Sequence, residues 1–340
     1  MPVKKSTPAP NTALTEMLAE INALYPGVMT TASDPDLTVM LHGTGVLPID
    51  EALGGGIPRG RFIEVYGGYS TMKSFWAYKA LAATQKRGGS VALVDFEHSW
   101  DPEWGAALGI DVATLLLARP KTAEEGIGIM EALIRQKYDL IVWDSIAAAQ
   151  PKQYAEAAPG ADNAPAALAR VMSRGLARLN AVNKHSTAIF INQTRDNIGV
   201  TFGAKSTTSG GKAMGYYASM RMSFTRIGKI SEVIKKWDGE KWMDARKVTG
   251  HKIQMTLEKS KVSAPTAETI FVFDLRTGDV DNVGYLIGRG LEEGVIELDR
   301  TGRHLIPGVM TASIHGASKF REFVESDKSV QDYITKELLK

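Results

Sequence analysis

A doubly wound, mainly parallel α/β sheet is the fold this sequence predicts, on three observations. Residues 61–81, RFIEVYGGYSTMKSFWAYKAL, run from an alternating apolar stretch through a glycine break at Gly67-Gly68 into a helix-forming segment that starts near Lys73-Ser74. Four further apolar runs, Val91–Phe96, Leu115–Leu117, Leu140–Trp143 and Thr187–Ile191, are separated by helical stretches, the alternation of a parallel sheet. Three of these runs end in polar residues, Glu97, Asp144 and Gln193, at the strand ends beyond which such sheets bind ligands.

The first stretch carries the chemistry. Strand, glycine turn, Lys-Ser and helix form the context of a phosphate-binding P-loop, G-x-x-x-x-G-K-[ST], which maps onto Gly67, Met72, Lys73 and Ser74. Met72 stands where the second glycine belongs. In such a loop backbone N–H groups and the helix dipole cradle the phosphates. Lys73 would reach the β- and γ-phosphates, and the Ser74 hydroxyl would bind Mg²⁺. A left-handed conformation at Met72 would cost a non-glycine residue about 1–2 kcal/mol. A glycine turn followed by a chance Lys-Ser remains the plain alternative for this stretch taken alone.

Composition excludes several classes. The chain has 340 residues, 44% hydrophobic and 23% charged, enough for a large core and a small second domain. A net charge of +2 means that a nucleic-acid surface has to be local. Without cysteine, disulfides, thiolate metal sites and Cys nucleophiles are excluded. The six histidines are scattered, which gives a His-rich metal site little support. No apolar run has membrane-spanning length and the N-terminus has no signal-peptide core, so the expectation is a cytoplasmic protein with no membrane partner.

Taken in order, MPVKKSTPAP reads as a flexible arm. Leu14, Met17, Leu18, Ile21 and Leu24 then fall at helical spacing, and Pro26-Gly27 ends that helix. Its stripe packs either on its own domain or on a neighbouring subunit. Thr122-x-x-Glu125 is a capping box for a helix ending near Lys137. Residues 194–212, TRDNIGVTFGAKSTTSGGK, hold almost no periodicity and read as a loop with three cations and a lone Phe202, a composition suited to nucleic acid. Three β-rich runs follow, Arg221–Ile227, Lys252–Leu257 and Thr269–Leu275, the first two separated by a charged, tryptophan-bearing hairpin insert, Lys229–Gly250. Residues 281–340 shift to shorter mixed elements ending in a helix, with five acidic and five basic residues from Lys319 onward.

With these residues assembled, the chain resembles the bacterial RecA-type homologous recombinases from about Ala13 to the C-terminal helix. The stretches that carry the likeness are GGGIPRGRFIEVYG, LVDFEHSWDP, LIVWDSIAAAQP, IFINQTRDNIGVTFG, TTSGGKAMGYYASMRM and LEKSKVSAP, in the family's order. The resemblance implies a RecA-like P-loop ATPase core over 41–280, preceded by an arm and polymerisation helix over 1–40 and followed by a small α+β domain over 281–340. Implied as catalytic are Glu97, which polarises the attacking water, with Lys73, Gln193, Lys259 and Lys261. Gln193 senses the γ-phosphate, and the lysine pair reaches ATP on the neighbouring subunit. Implied as ATP-binding are Gly67, Gly68, Tyr69, Ser70, Thr71, Met72, Lys73, Ser74 and Phe75, with Asp101 and Trp104 flanking the adenine and Asp144 as the Walker B aspartate. Ser74 and Asp144 are the implied Mg²⁺ ligands.

The family's two DNA loops fall on Lys152–Asn163 and Thr194–Gly211. The implied DNA contacts are Arg170, Arg174, Arg195, Asn197, Ile198, Gly199, Phe202, Lys205, Gly210, Gly211 and Lys212. The partners implied are single-stranded DNA, double-stranded DNA and further copies in a helical filament, with room for single-strand-binding and mediator proteins. Two departures stand out. A bulky residue before the lysine is shared with phage recombinases of the UvsX kind and points to a phage-encoded protein. The acidic tail common in bacterial members is missing, which predicts easier access to duplex DNA. The function expected is ATP-dependent pairing and strand exchange on a single-strand filament. The rivals are a weakly hydrolysing ATP-binding filament protein and a ring-shaped motor or helicase built on the same core.

Overall fold

The computed structural model of the protein describes residues 12–155, 165–196, 206–237, 239–262 and 267–338. They divide into two compact units, one up to Met40 and one from Leu41 onward. The first holds helix α1 (Thr12–Leu24). The Asn22 carboxamide ties back the chain after it, donating to Met29 O at 2.8 Å and accepting from Met29 N at 3.0 Å. Of its apolar stripe, Leu14, Met17 and Leu24 stand 49%, 51% and 69% exposed.

The second unit opens with β1 (Leu41–His42), α2 (Leu47–Ala52) and β2 (Ile57–Pro58), then alternates. Strand β3 (Phe62–Gly67) leads to α3 (Lys73–Lys86), β4 (Val91–Asp95) to α4 (Pro102–Ala107), and β5 (Leu116–Ala118) to α5 (Ala123–Arg135). After β6 (Leu140–Asp144) come α6 (Lys152–Ala155), α7 (Pro165–Val182), β7 (Thr187–Asp196), β8 (Ser206–Thr208) and α8 (Ala213–Tyr217). Strands β9 (Met220–Trp237), β10 (Trp242–Ser260), β11 (Glu268–Asp274) and β12 (Asp279–Val280) complete one sheet. Its order is β12-β11-β10-β9-β3-β7-β6-β4-β5, with β8 paired to β7. The six strands from β9 to β5 run parallel, and β10 to β12 extend the sheet antiparallel.

The strands at the centre are buried on both faces, so β4 and β6 read as near-continuous apolar runs, and β3, which reads as alternating, is buried along its whole length with Glu64 included. One face packs on α3, through Phe75, Trp76, Tyr78 and Leu81. The other packs on α5 and α7, through Ile127, Met130, Met172 and Leu176. This is the doubly wound arrangement expected. The box at α5 forms with a shift: Glu125 N donates to Thr122 Oγ1 at 3.2 Å, but the Glu125 carboxylate accepts from Lys121 N at 2.7 Å, one residue before the cap.

Two expectations need correction and one is extended. Residues 194–212 are not loop throughout: β7 runs to Asp196 and β8 returns antiparallel, Thr194 facing Thr208. The paired residues, Thr194, Arg195 and Asp196 against Thr208, Thr207 and Ser206, are all polar, so no apolar alternation marks the pairing. The hairpin expected at Lys229–Gly250 forms, and it is continuous with the sheet: the runs Arg221–Ile227 and Lys252–Leu257 lengthen into β9 and β10, which pair as far as Trp237 and Trp242. At the C-terminus there are two helices in place of one. After α9 (Asn282–Glu292) and a small sheet of β13 (Glu297–Leu298), β14 (Arg303–Leu305) and β15 (Ile314–His315) come α10 (Ala317–Ser326) and α11 (Lys328–Leu338). Asp327 breaks the run: its backbone is extended and its carboxylate accepts from Ser329 N at 2.9 Å, capping α11. This segment has its own core, centred on Leu286, Ile306, Phe320 and Ile334.

Candidate functional site

Four neighbouring parallel strands bring the sequence's polar strand ends to one edge. Gly67 of β3 lies opposite Gln193 of β7, Phe190 of β7 opposite Trp143 of β6, and Asp144 of β6 opposite Asp95 of β4. At about 4.8 Å per strand the edge spans roughly 15 Å. Strand β7 sits between the strands that carry the glycine turn and the aspartate, and so sets Gln193 between Lys73 and Glu97.

The turn after β3 is shaped by close contacts. A Cβ on Gly67 would lie 2.1 Å from Phe224 O, whereas one on Gly68 would meet nothing within 4 Å. Ser70 and Met72 take positive φ, 54° and 68°, and Met72 is the N-cap of α3. The sequence thus places Met72 where strain was anticipated. Tyr69 projects 83% exposed, and Thr71 is buried with its hydroxyl donating to Gly68 O at 3.0 Å. Lys73 is buried; its Nζ donates to Gly68 O at 2.6 Å and reaches Thr71 Oγ1 at 3.4 Å. Burial pushes its pKa down, against the pull of the Asp144 and Glu97 carboxylates. Phe75 faces inward, edge-to-face with Phe273 at 4.9 Å. A buried ammonium whose hydrogen bonds go to a carbonyl and a hydroxyl fits an incoming anion.

Asp144 is 1% exposed, and its Oδ1 has no hydrogen-bond partner. Burial pushes the carboxyl up to about 7, with Glu97 and Asp95 adding to the rise and the Ser74 hydroxyl and Lys73 opposing it. An unpaired, buried carboxylate oxygen beside a helix-N-terminal serine is a donor set that fits a hard divalent cation whose other ligands come from phosphate and water. Among the described residues there is no group of three or more His, Cys, Asp or Glu side chains that could hold a metal by itself.

Glu97 is exposed at this edge. Its Oε1 accepts from Ser145 Oγ at 2.6 Å and from Gln193 Nε2 at 3.2 Å. Its loop is held by Asp95, which is fully buried and accepts from Ser99 N at 3.3 Å and Trp100 N at 3.1 Å. Asp101 caps α4, accepting from Glu103 N at 2.9 Å, and Trp104 packs tilted on Tyr78 at 5.2 Å. The Tyr78 hydroxyl, 3.5 Å from Asp144 Oδ2, joins this aromatic corner to the carboxylate. Ser145, Tyr78 and the role of Asp95 were missed in the sequence. Only Ser145, which adjoins Asp144, had a local signal.

Lys259 and Lys261 lie elsewhere in the chain. Lys259 pairs with Arg221 on β9, which pairs with Glu64 on β3, three residues or about 10 Å before Gly67. Their ammonium groups donate to Gly215 O at 2.6 Å and Tyr216 O at 3.2 Å, and Tyr216 is 74% exposed. Lys259 is pushed down by burial and by Lys261 and Arg221. Of the DNA candidates, Arg170 and Arg174 are exposed one turn apart on α7, and Lys212 is exposed before α8. Gly210 and Gly211 have φ of 80° and 79°; a Cβ there would lie 2.8 Å from Ile146 Cγ2 and 2.7 Å from Ala169 Cβ, so the chain after β8 is pressed on α7. Arg195 lies on β7. Asn197, Ile198, Gly199, Phe202 and Lys205, with 156–163 of the first loop, lie outside the described residues. No described helix is long and apolar enough to cross a membrane.

Comparison with known proteins agrees with this geometry. The RecA N-terminal domain family matches residues 12–278. The chain is similar to "Protein RecA" of Salinispora tropica, 36% identical over 335 residues, covering 96% of this chain and 91% of that one. It is also similar to those of Saccharopolyspora erythraea, 38% identical over 297 residues (86% and 82%), and Chlorobium chlorochromatii, 39% identical over 266 residues (77% and 71%). A family match over residues 12–278 and relatives alike over most of both chains show what the chain is: it belongs to the RecA family and is a RecA-type recombinase.

Proposed function

We propose that the chain polymerises on single-stranded DNA as a helical filament, binds ATP with Mg²⁺ and hydrolyses it, and exchanges the bound strand with a homologous duplex. The observation that carries this reading is the junction at Glu97, where Ser145 and Gln193 converge on one carboxylate oxygen at the edge that also holds Lys73 and Asp144. Glu97 Oε1 is thereby held, and Oε2 is the oxygen that orients and deprotonates the attacking water. Lys73 gives its carbonyl bond to Gly68 in exchange for the β- and γ-phosphates. Gly67 to Phe75 wrap the phosphates, and Trp104, next to Asp101, offers its ring to the adenine. Mg²⁺, held by Ser74 and Asp144, would supply positive charge against that developing on the phosphates. Gln193 exchanges its bond to Glu97 for the γ-phosphate, which links nucleotide state to the β7–β8 hairpin.

Lys259 and Lys261 serve the ATP of the adjacent protomer, a reading supported by their separation from Lys73 within one chain. Assembly then completes the site, so turnover follows polymerisation. The stripe of α1 docks on the next protomer. Arg170, Arg174, Arg195, Lys205 and Lys212 contact phosphates, giving salt-sensitive affinity, with Asn197, Ile198, Gly199 and Gly210-Gly211 lining the strand and Phe202 against the bases. Single-strand-binding and mediator proteins, a cytoplasmic setting, a phage-encoded origin and the division into 1–40, 41–280 and 281–340 belong to the same proposal.

ATP hydrolysis with and without single-stranded DNA, with Lys73→Ala as control, tests it. The expected result is stimulation by DNA of at least about tenfold, abolished in the variant. Positive φ at Met72 favours a second reading, a filament protein that binds ATP but barely hydrolyses it; ATP-dependent DNA binding without turnover would select that one. Closed rings in negative-stain images on DNA would select a ring motor.

A further inference from the structure

Behind the proposed nucleotide site lies a buried polar junction that this function leaves unused. Asn192 and Glu64 are fully buried. Asn192 Oδ1 accepts from the backbone N of Gln193 at 2.9 Å. Its Nδ2 donates to Glu64 Oε1 at 2.9 Å and to Ser209 O at 2.9 Å. Both amide donors and the carbonyl are therefore engaged, and two oxygens on one side and an N–H on the other set the orientation of the carboxamide. Glu64 is held in turn by Arg221, whose Nε donates to Oε2 at 2.6 Å and whose guanidinium lies 4.9 Å over the Tyr66 ring.

The three partners belong to three different parts of the molecule. Gln193 is the residue bonded to Glu97. Glu64 is on β3, three residues before the glycine turn. Ser209 follows β8 and precedes Gly210-Gly211, which the missing Cβ atoms allow to press on Ile146 and Ala169. A side chain that served packing alone would not need this set. In a buried site a polar junction that is fully satisfied is stiff, and one that loses a partner is costly.

We propose that Asn192 is the positioning residue that couples Gln193 to the root of the β7–β8 hairpin. Displacement of Gln193 is carried by its N–H to the Asn192 carboxamide, from there to Ser209 O, and so to the glycine pair seated on α7. This rests on the reading of Gln193 as nucleotide sensor and of 194–212 as a DNA loop. Asn192 touches neither ligand, and its role is in the linkage between them.

Two variants separate this from plain structural support. Asn192→Asp keeps the size and the acceptor for Gln193 N, but sets an oxygen against Glu64 Oε1 and Ser209 O, both acceptors. Asn192→Ala removes all three bonds. The readout is the ratio of single-stranded-DNA affinities of the full chain with the β,γ-imido analogue of ATP and with ADP. In the wild type a ratio of about 5–150 is expected. In both variants it should fall to within about twofold of one, while affinity for the analogue without DNA and for DNA with ADP stays within about threefold of wild type. A ratio preserved in folded variants overturns the proposal alone; a wild-type ratio of one overturns the reading of the site and the proposal with it. Should neither variant fold, amide exchange in the wild type decides: the analogue without DNA must slow exchange over 206–214, and unchanged exchange there overturns the coupling.

Discussion

Met72 shows how far a single residue can depart from a motif. Its left-handed conformation, φ 68° and ψ 25°, costs a non-glycine residue about 1–2 kcal/mol. The side chain packs, partly buried, against the core around α3, and burial of that size returns about 1–2 kcal/mol. The two terms nearly cancel, which is why the turn keeps its shape without the glycine. Met72→Gly removes both. Stability should change by less than about 1 kcal/mol in thermal unfolding, and DNA-stimulated turnover should equal or exceed that of the wild type. A fall in nucleotide affinity would mean that the methionine side chain itself holds the loop. Gly67 is the contrasting case, because Phe224 O stands 2.1 Å from where its Cβ would be and no side-chain adjustment relieves a backbone clash.

Helix α5 acts on the site without reaching it. Phe96 and Trp143 stack with centroids 4.5 Å apart, and a Cβ on Gly126 would lie 2.5 Å from Phe96 Cζ and 2.7 Å from Trp143 Cη2. The helix can approach the sheet this closely only with glycine at that position. Gly126→Ala should cost about 1–3 kcal/mol as overpacking. Phe96 immediately precedes Glu97, so turnover should fall by more than nucleotide affinity does, measured as kcat against the affinity for ATP. A loss of stability with kcat unchanged would show that Ser145 and Gln193 hold Glu97 independently of the stack. The β7–β8 hairpin illustrates the same scale from the opposite side: its legs, Thr194 to Asp196 and Ser206 to Thr208, carry no apolar periodicity, and pairing with each other is what makes them strands.

For the whole molecule, what matters is that one chain does not bring Lys259 and Lys261 to Lys73. If the pair works on the adjacent protomer, two inactive proteins should restore each other. Lys259→Ala retains Glu97, and Glu97→Ala retains Lys259. Mixed on single-stranded DNA they should recover about a quarter or less of the wild-type turnover, while each alone stays near background. No recovery in mixtures that still co-assemble on DNA would place the lysines' action within one protomer or outside catalysis.

The alternation of apolar runs with helical stretches, the glycine turn and the polar strand ends were all legible in the sequence. Each depends on residues close along the chain: Phe62 to Ser74 form strand, turn and helix by local propensity, and Asp144 marks the end of a buried strand. The resemblance to the family implied the roles proposed for them. What the sequence did not show is every relation that crosses the sheet. Strand order alone sets Gln193 between Lys73 and Glu97, through a hydrogen bond that spans 96 residues. Ser145 on Glu97, Tyr78 beside Asp144 and Asn192 between Glu64 and Ser209 are contacts between segments whose separation has no periodic trace. Local sequence decides which elements form and where they end. Which ends meet is decided by parallel register and by the requirement that buried polar groups find partners, and only the tertiary structure answers that.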